Sequence, residues 1–152
     1  SAIKTFTQKV NWNDLDFIIV DMPPGTGDTQ LTFSQEIKMD GAIIVSTPQE
    51  VALLDVKRGI KMFDKLGVKI LGLVDNMSFF VGDDEKKYKI FGEGGVKRTA
   101  EEFQKDFLGE IPINPEVGNF GDQGKPIVES NPDHEISKIY LEFAEKIKST
   151  YL

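Results

Sequence analysis

The residues best suited to chemistry stand together in Asp16-Phe-Ile-Ile-Val-Asp-Met-Pro-Pro-Gly-Thr-Gly-Asp28. Phe17, Ile18, Ile19 and Val20 form a continuous apolar run, the pattern of a strand buried on both faces. The run ends in Asp21, and a Pro/Gly turn follows at once. In open α/β sheets, ligands bind outside the carboxyl ends of the strands. A carboxylate placed there can hold Mg²⁺, usually through water, beside nucleotide phosphates. Pro23 and Pro24 fix two φ angles, while Gly25 and Gly27 let the backbone approach a ligand or turn sharply. On spacing alone, Asp21 reads either as that magnesium carboxylate or as a cap of the strand end. Asp28 precedes the helix-like residues 29–38 and reads as a helix cap.

Few other chemistries are open to the chain. Its 152 residues include no cysteine, so disulfides and thiolate metal ligands are excluded, and a cytoplasmic setting is the expectation. His134 is the only histidine; its position suggests a surface residue in the first turn of a helix. Twenty-five acidic residues against eighteen basic ones give a net charge of −7, which argues against nucleic acid or an anionic membrane as partner. No apolar run approaches the roughly 20 residues that span a bilayer. Asp83, Asp84 and Glu85 offer carboxylates for a hard cation, but the run reads better as a solvated acidic loop. No G-x-G-x-x-G follows a strand, so a dinucleotide site of that kind is not indicated.

The elements that must position these groups alternate. After the run at Phe17 come Ala42-Ile43-Ile44-Val45 and Ile70-Leu71-Gly72-Leu73-Val74, with a weaker strand candidate at residues 108–111. Between them, Val51, Leu54, Ile60, Phe63 and Leu66 give an approximate helical stripe, and Val96, Ala100, Phe103 and Phe107 a cleaner one. Ile136, Ile139, Tyr140, Phe143, Ala144 and Ile147 line a last helix, with Asn131-Pro132 as its expected start. Strands alternating with helices predict an α/β fold with a mostly parallel sheet covered on both faces. Residues 82–89 read as an exposed loop or hairpin, and residues 112–132 as an ordered loop.

The run Asp21-Met-Pro-Pro-Gly-Thr-Gly-Asp28 resembles the hallmark of the Mrp (ApbC-type) ATPases, iron–sulfur cluster carriers of the MinD/ParA-like deviant P-loop class. The likeness continues through Ser46-Thr-Pro-Gln-Glu-Val-Ala-Leu53, Asp55-Val-Lys-Arg-Gly-Ile60 and Leu71-Gly-Leu-Val-Asp-Asn-Met-Ser78. It then takes in Ile90-Phe-Gly-Glu-Gly-Gly95, Leu108-Gly-Glu-Ile-Pro-Ile113 and Asp122-Gln-Gly-Lys-Pro-Ile127, so it covers nearly the whole chain in family order. The resemblance implies a three-layer α/β/α fold, P-loop NTPase-like, that is incomplete at its N-terminal side. Residues 1–152 are then a single domain, the C-terminal part of a nucleotide-binding domain.

The resemblance also implies roles. Asp21 matches the Walker B aspartate on Mg²⁺, and Gly25, Thr26 and Gly27 match the switch that senses the γ-phosphate of ATP. Asn76 matches the asparagine that reads the adenine edge, and Pro112 begins the loop that packs on the base. Partners so implied are ATP, a second copy in a homodimer and iron–sulfur client proteins, with Phe79 and Phe80 either interface anchors or core.

Two departures stand out. No G-x-x-x-x-G-K-[ST] occurs, so this chain by itself is not expected to hydrolyse ATP. Where relatives place a C-x-x-C pair for a cluster, this chain has Gly82 and Glu85. Phe91-Gly-Glu-Gly-Gly-Val-Lys-Arg98 is no substitute phosphate loop, because its spacing is wrong and Glu93 is negative; it reads as a packing turn. The alternative to an ATP-dependent carrier is therefore a non-enzymatic scaffold or regulatory partner that has lost cluster binding.

Overall fold

A twelve-residue strand organises the molecule, because it is the only one with neighbours on both sides along the described chain. The structure, a computed structural model, describes residues 5, 9–22 and 27–152. In chain order the elements are α1 (Asp28–Glu36), β1 (Ala42–Ser46), α2 (Glu50–Leu66), β2 (Ile70–Val81) and β3 (Lys87–Tyr88). They are followed by α3 (Gly95–Glu102), β4 (Phe107–Ile113), α4 (Pro115–Asp122), α5 (Ile127–Ser130) and α6 (Glu135–Tyr151). β2 pairs in parallel with β1 on one side and with β4 on the other, and β3 folds back antiparallel on the end of β2.

Adjacent residues of β2 serve opposite faces, as the strand repeat of two requires. Leu73 enters a core with Leu53, Val56, Ile60 and Phe63 of α2 and Val96 and Ala100 of α3. Val74 enters a second core with Leu108, Ile111, Ile127, Ile136 and Phe143, under α5 and α6. The result is three layers, α/β/α, with a mostly parallel sheet, as the alternation predicted. α2 stops where Gly67 takes φ 70° and its N–H returns to Asp64 and Phe63, a left-handed ending that favours glycine.

Several elements differ from the expectation. Residues 17–20 belong to no strand; Ile19 is 81% exposed, and Phe17 leans edge-on against Tyr151 at 6.4 Å. A continuous apolar run specifies burial but not a ladder partner. Among the described residues, β1 has a neighbour on one side only, and Val45 is 57% exposed there. Among the described residues β1 therefore forms an edge of the sheet, and residues 17–20, expected as a sheet strand, lie outside it.

The helix expected to reach Phe107 ends at Glu102, because Gln104 turns left-handed (φ 53°) and the N–H groups of Gln104 and Lys105 close back on Glu101 and Ala100. Phe107 then opens β4. Asp28 is the first residue of α1 rather than its cap; Gly27 holds the cap position, and the Asp28 charge suits the positive end of the helix. Residues 112–132 contain α4 and α5 instead of a continuous loop.

The last helix starts at Glu135, not near Asn131, because His134 caps it: Nδ1 accepts from the Ile136 N–H at 3.1 Å. His134 is half-buried and not a simple surface residue. Its Nδ1 must therefore be unprotonated, which places the ring proton on Nε2, 3.8 Å from Glu116 Oε2. Replacing His134 by Ala should cost about 1 kcal/mol in urea unfolding, and His134→Asn should recover most of it.

Candidate functional site

The carboxyl ends of β1, β2 and β4 lie side by side, the edge where a parallel sheet presents ligand-binding residues. Ser46, Asp75 and Glu110 are consecutive register partners across the three strands. Asn76 faces Ile111 across the next rung, so Asn76 and Pro112 stand on neighbouring strands. Pro112 is buried within β4 rather than beginning a loop. Its missing N–H fits a strand that pairs on one side along its described neighbours.

Asn76 is half-buried, and its side-chain amide makes no hydrogen bond to the described residues. An unused donor and acceptor on one group is what reading the edge of a purine requires. Directly after it the backbone departs from the strand. Met77 takes φ 55°, and the β2–β4 ladder is irregular between Asn76 and Phe80. A non-glycine residue held left-handed inside a strand is a bulge that re-aims its neighbours. The Ser78 hydroxyl spans the gap by donating to the Ile111 carbonyl at 3.3 Å.

Beyond Pro112, Asn114 Oδ1 accepts from the Glu116 N–H at 2.8 Å and caps α4, while its Nδ2 lies 3.5 Å from His134 Nε2. With its proton on Nε2, His134 faces the Glu116 carboxylate at 3.8 Å, and this contact links the segment after β4 to the start of α6. The other expected site residues are not brought to this edge. Asp21 is exposed and follows no strand, and Gly27 caps α1. Gly25 and Thr26 lie outside the described residues.

Asp75, midway along β2, was not singled out by its sequence position. It is 1% exposed, and neither carboxylate oxygen has a hydrogen-bond partner among the described residues. Burial, with Glu110 adding to it and Lys89 opposing it, pushes its carboxyl up to about 6. The other unheralded group is Lys89. Its ammonium lies 3.5 Å from Glu110 Oε1 and 5.2 Å from the centre of the Phe79 ring, and Lys87 Nζ sits 4.3 Å from the same ring. Phe79 is buried, so of its two sequence readings the core one describes its place in this chain.

The segment matching the cluster-binding position is a hairpin closed on itself. Gly82 and Lys86 join through the backbone at 3.0 Å. Asp84 Oδ2 accepts from the Tyr88 hydroxyl at 2.9 Å, and Oδ1 accepts from the Lys86 N–H at 3.2 Å. These two bonds hold the Asp84 carboxyl below the usual carboxylate range. With no cysteine in the chain, and no group of three metal-ligating side chains among the described residues, the residues present do not fit an iron–sulfur cluster. The turn at residues 91–95 is a packing device: a side chain on Gly95 would meet the Pro48 carbonyl oxygen at 2.6 Å. No helix among the described residues is long and apolar enough to cross a membrane.

Comparison with known proteins places this geometry. The sequence model of the ParA family, described as NUBPL iron-transfer P-loop NTPase, matches residues 1–148. An iron-sulfur cluster carrier protein of Aquifex aeolicus is 44% identical over 145 residues, covering 95% of this chain and 40% of its own length. The Arabidopsis thaliana iron-sulfur protein required for NADH dehydrogenase, mitochondrial, is 49% identical over 149 residues, covering 97% of this chain and 47% of its own. Among solved structures, a nucleotide-binding protein in complex with ADP from Archaeoglobus fulgidus superposes with a TM-score of 0.74 at 37% identity, over 82% of this chain and 51% of that one. The chain spans less than half the length of the curated relatives it matches. With the match running through 148 of its 152 residues, the chain belongs to the ParA family, in the group described as NUBPL iron-transfer P-loop NTPases.

Proposed function

We propose that this chain is the base-reading and switch part of an ATP-binding and ATP-hydrolysing protein that acts in iron–sulfur cluster assembly or carriage. The observation that carries the reading is the free amide of Asn76 at the last regular β2–β4 rung before the bulge, opposite Ile111, in a chain matched by an iron-transfer P-loop NTPase family. Asn76 would take the purine edge, and the loop after Pro112 would close on the base from β4. Asp21 would hold the water shell of Mg²⁺, and the turn through Gly25, Thr26 and Gly27 would sense the γ-phosphate. Bound Mg²⁺ supplies charge neutralisation for the transferred phosphoryl group. The phosphates also need a cradle of amides and a lysine, which the sequence of this chain does not contain, so turnover belongs to the full-length protein.

The test is nucleotide binding by the full-length protein, followed by titration calorimetry with ATP·Mg²⁺ and GTP·Mg²⁺. The expected result is a preference for ATP, with Asn76→Ala weakening ATP about tenfold, a loss of about 1.4 kcal/mol that suits one hydrogen-bonded base edge. Equal affinity of the variant and the parent would remove Asn76 from the site.

The cysteine-free hairpin favours a second reading, in which the protein positions or regulates partners and its own residues hold no cluster. Reconstitution of the full-length protein with iron and sulfide separates the two. The absorption of a stable cluster in the visible range supports carriage; ATP binding without that absorption supports the regulatory role. Clients and a homodimer remain part of the proposal in either case.

A further inference from the structure

The ladder between β2 and β4 is interrupted after Asn76↔Ile111 and resumes only at Phe80↔Ile113. Three residues, with Met77 left-handed among them, are therefore placed by side chains and not by regular strand pairing. One of the groups that spans this gap is Lys89, which directly follows β3. Its ammonium reaches Glu110 of β4 at 3.5 Å and Glu93 at 4.0 Å, and it lies over the ring of Phe79, the last residue before the ladder resumes. Glu110 is in turn the register partner of Asp75, the residue before Asn76. Beside the Ser78 bond to Ile111 and the Phe80↔Ile113 pair, one cation thus links the hairpin to the β4 residue paired with Asp75.

We propose that Lys89 is a positioning residue that clasps the β2–β3 hairpin to β4 across the Met77 bulge and so sets the place of Asn76. The purpose of the clasp rests on the nucleotide reading of Asn76; the clasp itself does not. Its ion pair and ring contact hold a segment that departs from the regular ladder. A partner or second copy that draws Lys89 away from Glu110 loosens Asn76. By reciprocity, a nucleotide that fixes Asn76 tightens the hairpin. The closed hairpin, which has no thiolates, then serves as a surface whose state is read at the nucleotide edge. Lys89 also supplies the positive charge that lets Asp75 and Glu110 sit side by side.

Hydrogen exchange of the full-length protein, read by mass spectrometry, tests the clasp without nucleotide and then with ATP·Mg²⁺. Without nucleotide, Lys89→Ala should speed exchange in residues 76–80 about three- to fivefold, the effect of losing a partly exposed ion pair and its ring contact. Glu110→Gln, which leaves Lys89 in place, should do the same, and Lys89→Arg should restore the parent rate. Lys86→Ala is the control, because Lys86 pairs with Asp84 inside the hairpin and not with β4. With nucleotide, residues 82–88 should exchange more slowly in the parent but not in Lys89→Ala. Unchanged exchange in residues 76–80 of both Lys89→Ala and Glu110→Gln, or an equal effect of Lys86→Ala, overturns the clasp. The expected changes without nucleotide, together with no ATP binding in any variant, uphold the clasp and overturn the nucleotide reading instead.

Discussion

Between about pH 4 and pH 7, the full-length protein should lose stability that its Asp75→Asn variant keeps. The cause is the enclosed carboxyl of Asp75, pushed from 3.8 to about 6 chiefly by burial and further by Glu110, against the pull of Lys89. Below the unfolded value both states hold the proton, and the residue contributes no dependence on pH. As pH rises between the two values, the unfolded chain releases its proton while the folded one keeps it, so folding is progressively disfavoured. Above pH 6 both states are ionised and the full penalty is in place. A shift of about two units amounts to about 3 kcal/mol. Asparagine cannot ionise, so the stability difference between variant and parent should grow in favour of the variant by roughly that amount across the window. An unpartnered amide has a cost of its own, but that cost is the same at every pH and cancels from the difference. Urea unfolding at half-unit steps of pH measures it. Parallel curves for the two proteins would show that Asp75 does not titrate there.

Much of the architecture was legible because it rests on periodicity. The strand at residues 42–45 and the strand beginning at Ile70 announce themselves by unbroken apolar runs. The helix over residues 50–66 was legible as an element, but Val51 and Leu54 of its expected stripe are exposed and Leu53 and Val56 are buried in their place. The failures have physical reasons of another kind. Residues 17–20 have the composition of a buried strand, yet composition does not supply a ladder partner, and here they lie exposed. Phe107 completes a helical stripe in sequence, but the left-handed turn at Gln104 hands it to the sheet. His134 displaced Asn131 as a cap because an imidazole nitrogen can accept from a backbone N–H, an option that ordinary cap preferences rank low.

At the candidate site, Asn76 and Pro112 were named through family likeness, and the strand register places Asn76 opposite Ile111, the residue before Pro112. Asp75 and Lys89 were not, because their significance lies in enclosure and in contacts made across strands. A carboxylate with no hydrogen-bond partner is indistinguishable in a sequence from one that is fully solvated. Likewise, nothing in a Tyr-Lys-Ile triplet announces that the lysine crosses to a glutamate twenty-one positions further on.

Asp21→Ala should lower ATP turnover of the full-length protein by about a hundredfold or more, the scale set by removing one group that stabilises the transition state. The argument is electrostatic. Charge gathers on the phosphoryl oxygens as the terminal bond breaks, and a bound Mg²⁺ would supply the neutralising charge. In the proposed role Asp21 would hold the water shell of the ion, and alanine would leave that shell unheld. Asp21→Asn keeps the size but not the charge, so it should fall nearly as far. Binding of ATP should change much less than turnover, because the base contact proposed for Asn76 would not depend on the metal. The role requires residues 17–20 to be laddered so that Asp21 stands at a strand end, and the free edge of β1, with Val45 exposed along it, is the place where a parallel strand fits. Replacing Val45 by Pro would block such pairing by removing an N–H from that edge, and turnover should then fall with Asp21 intact. Steady-state hydrolysis at saturating ATP decides the matter: full activity in Asp21→Ala dismisses the magnesium carboxylate, and full activity in Val45→Pro dismisses the added strand.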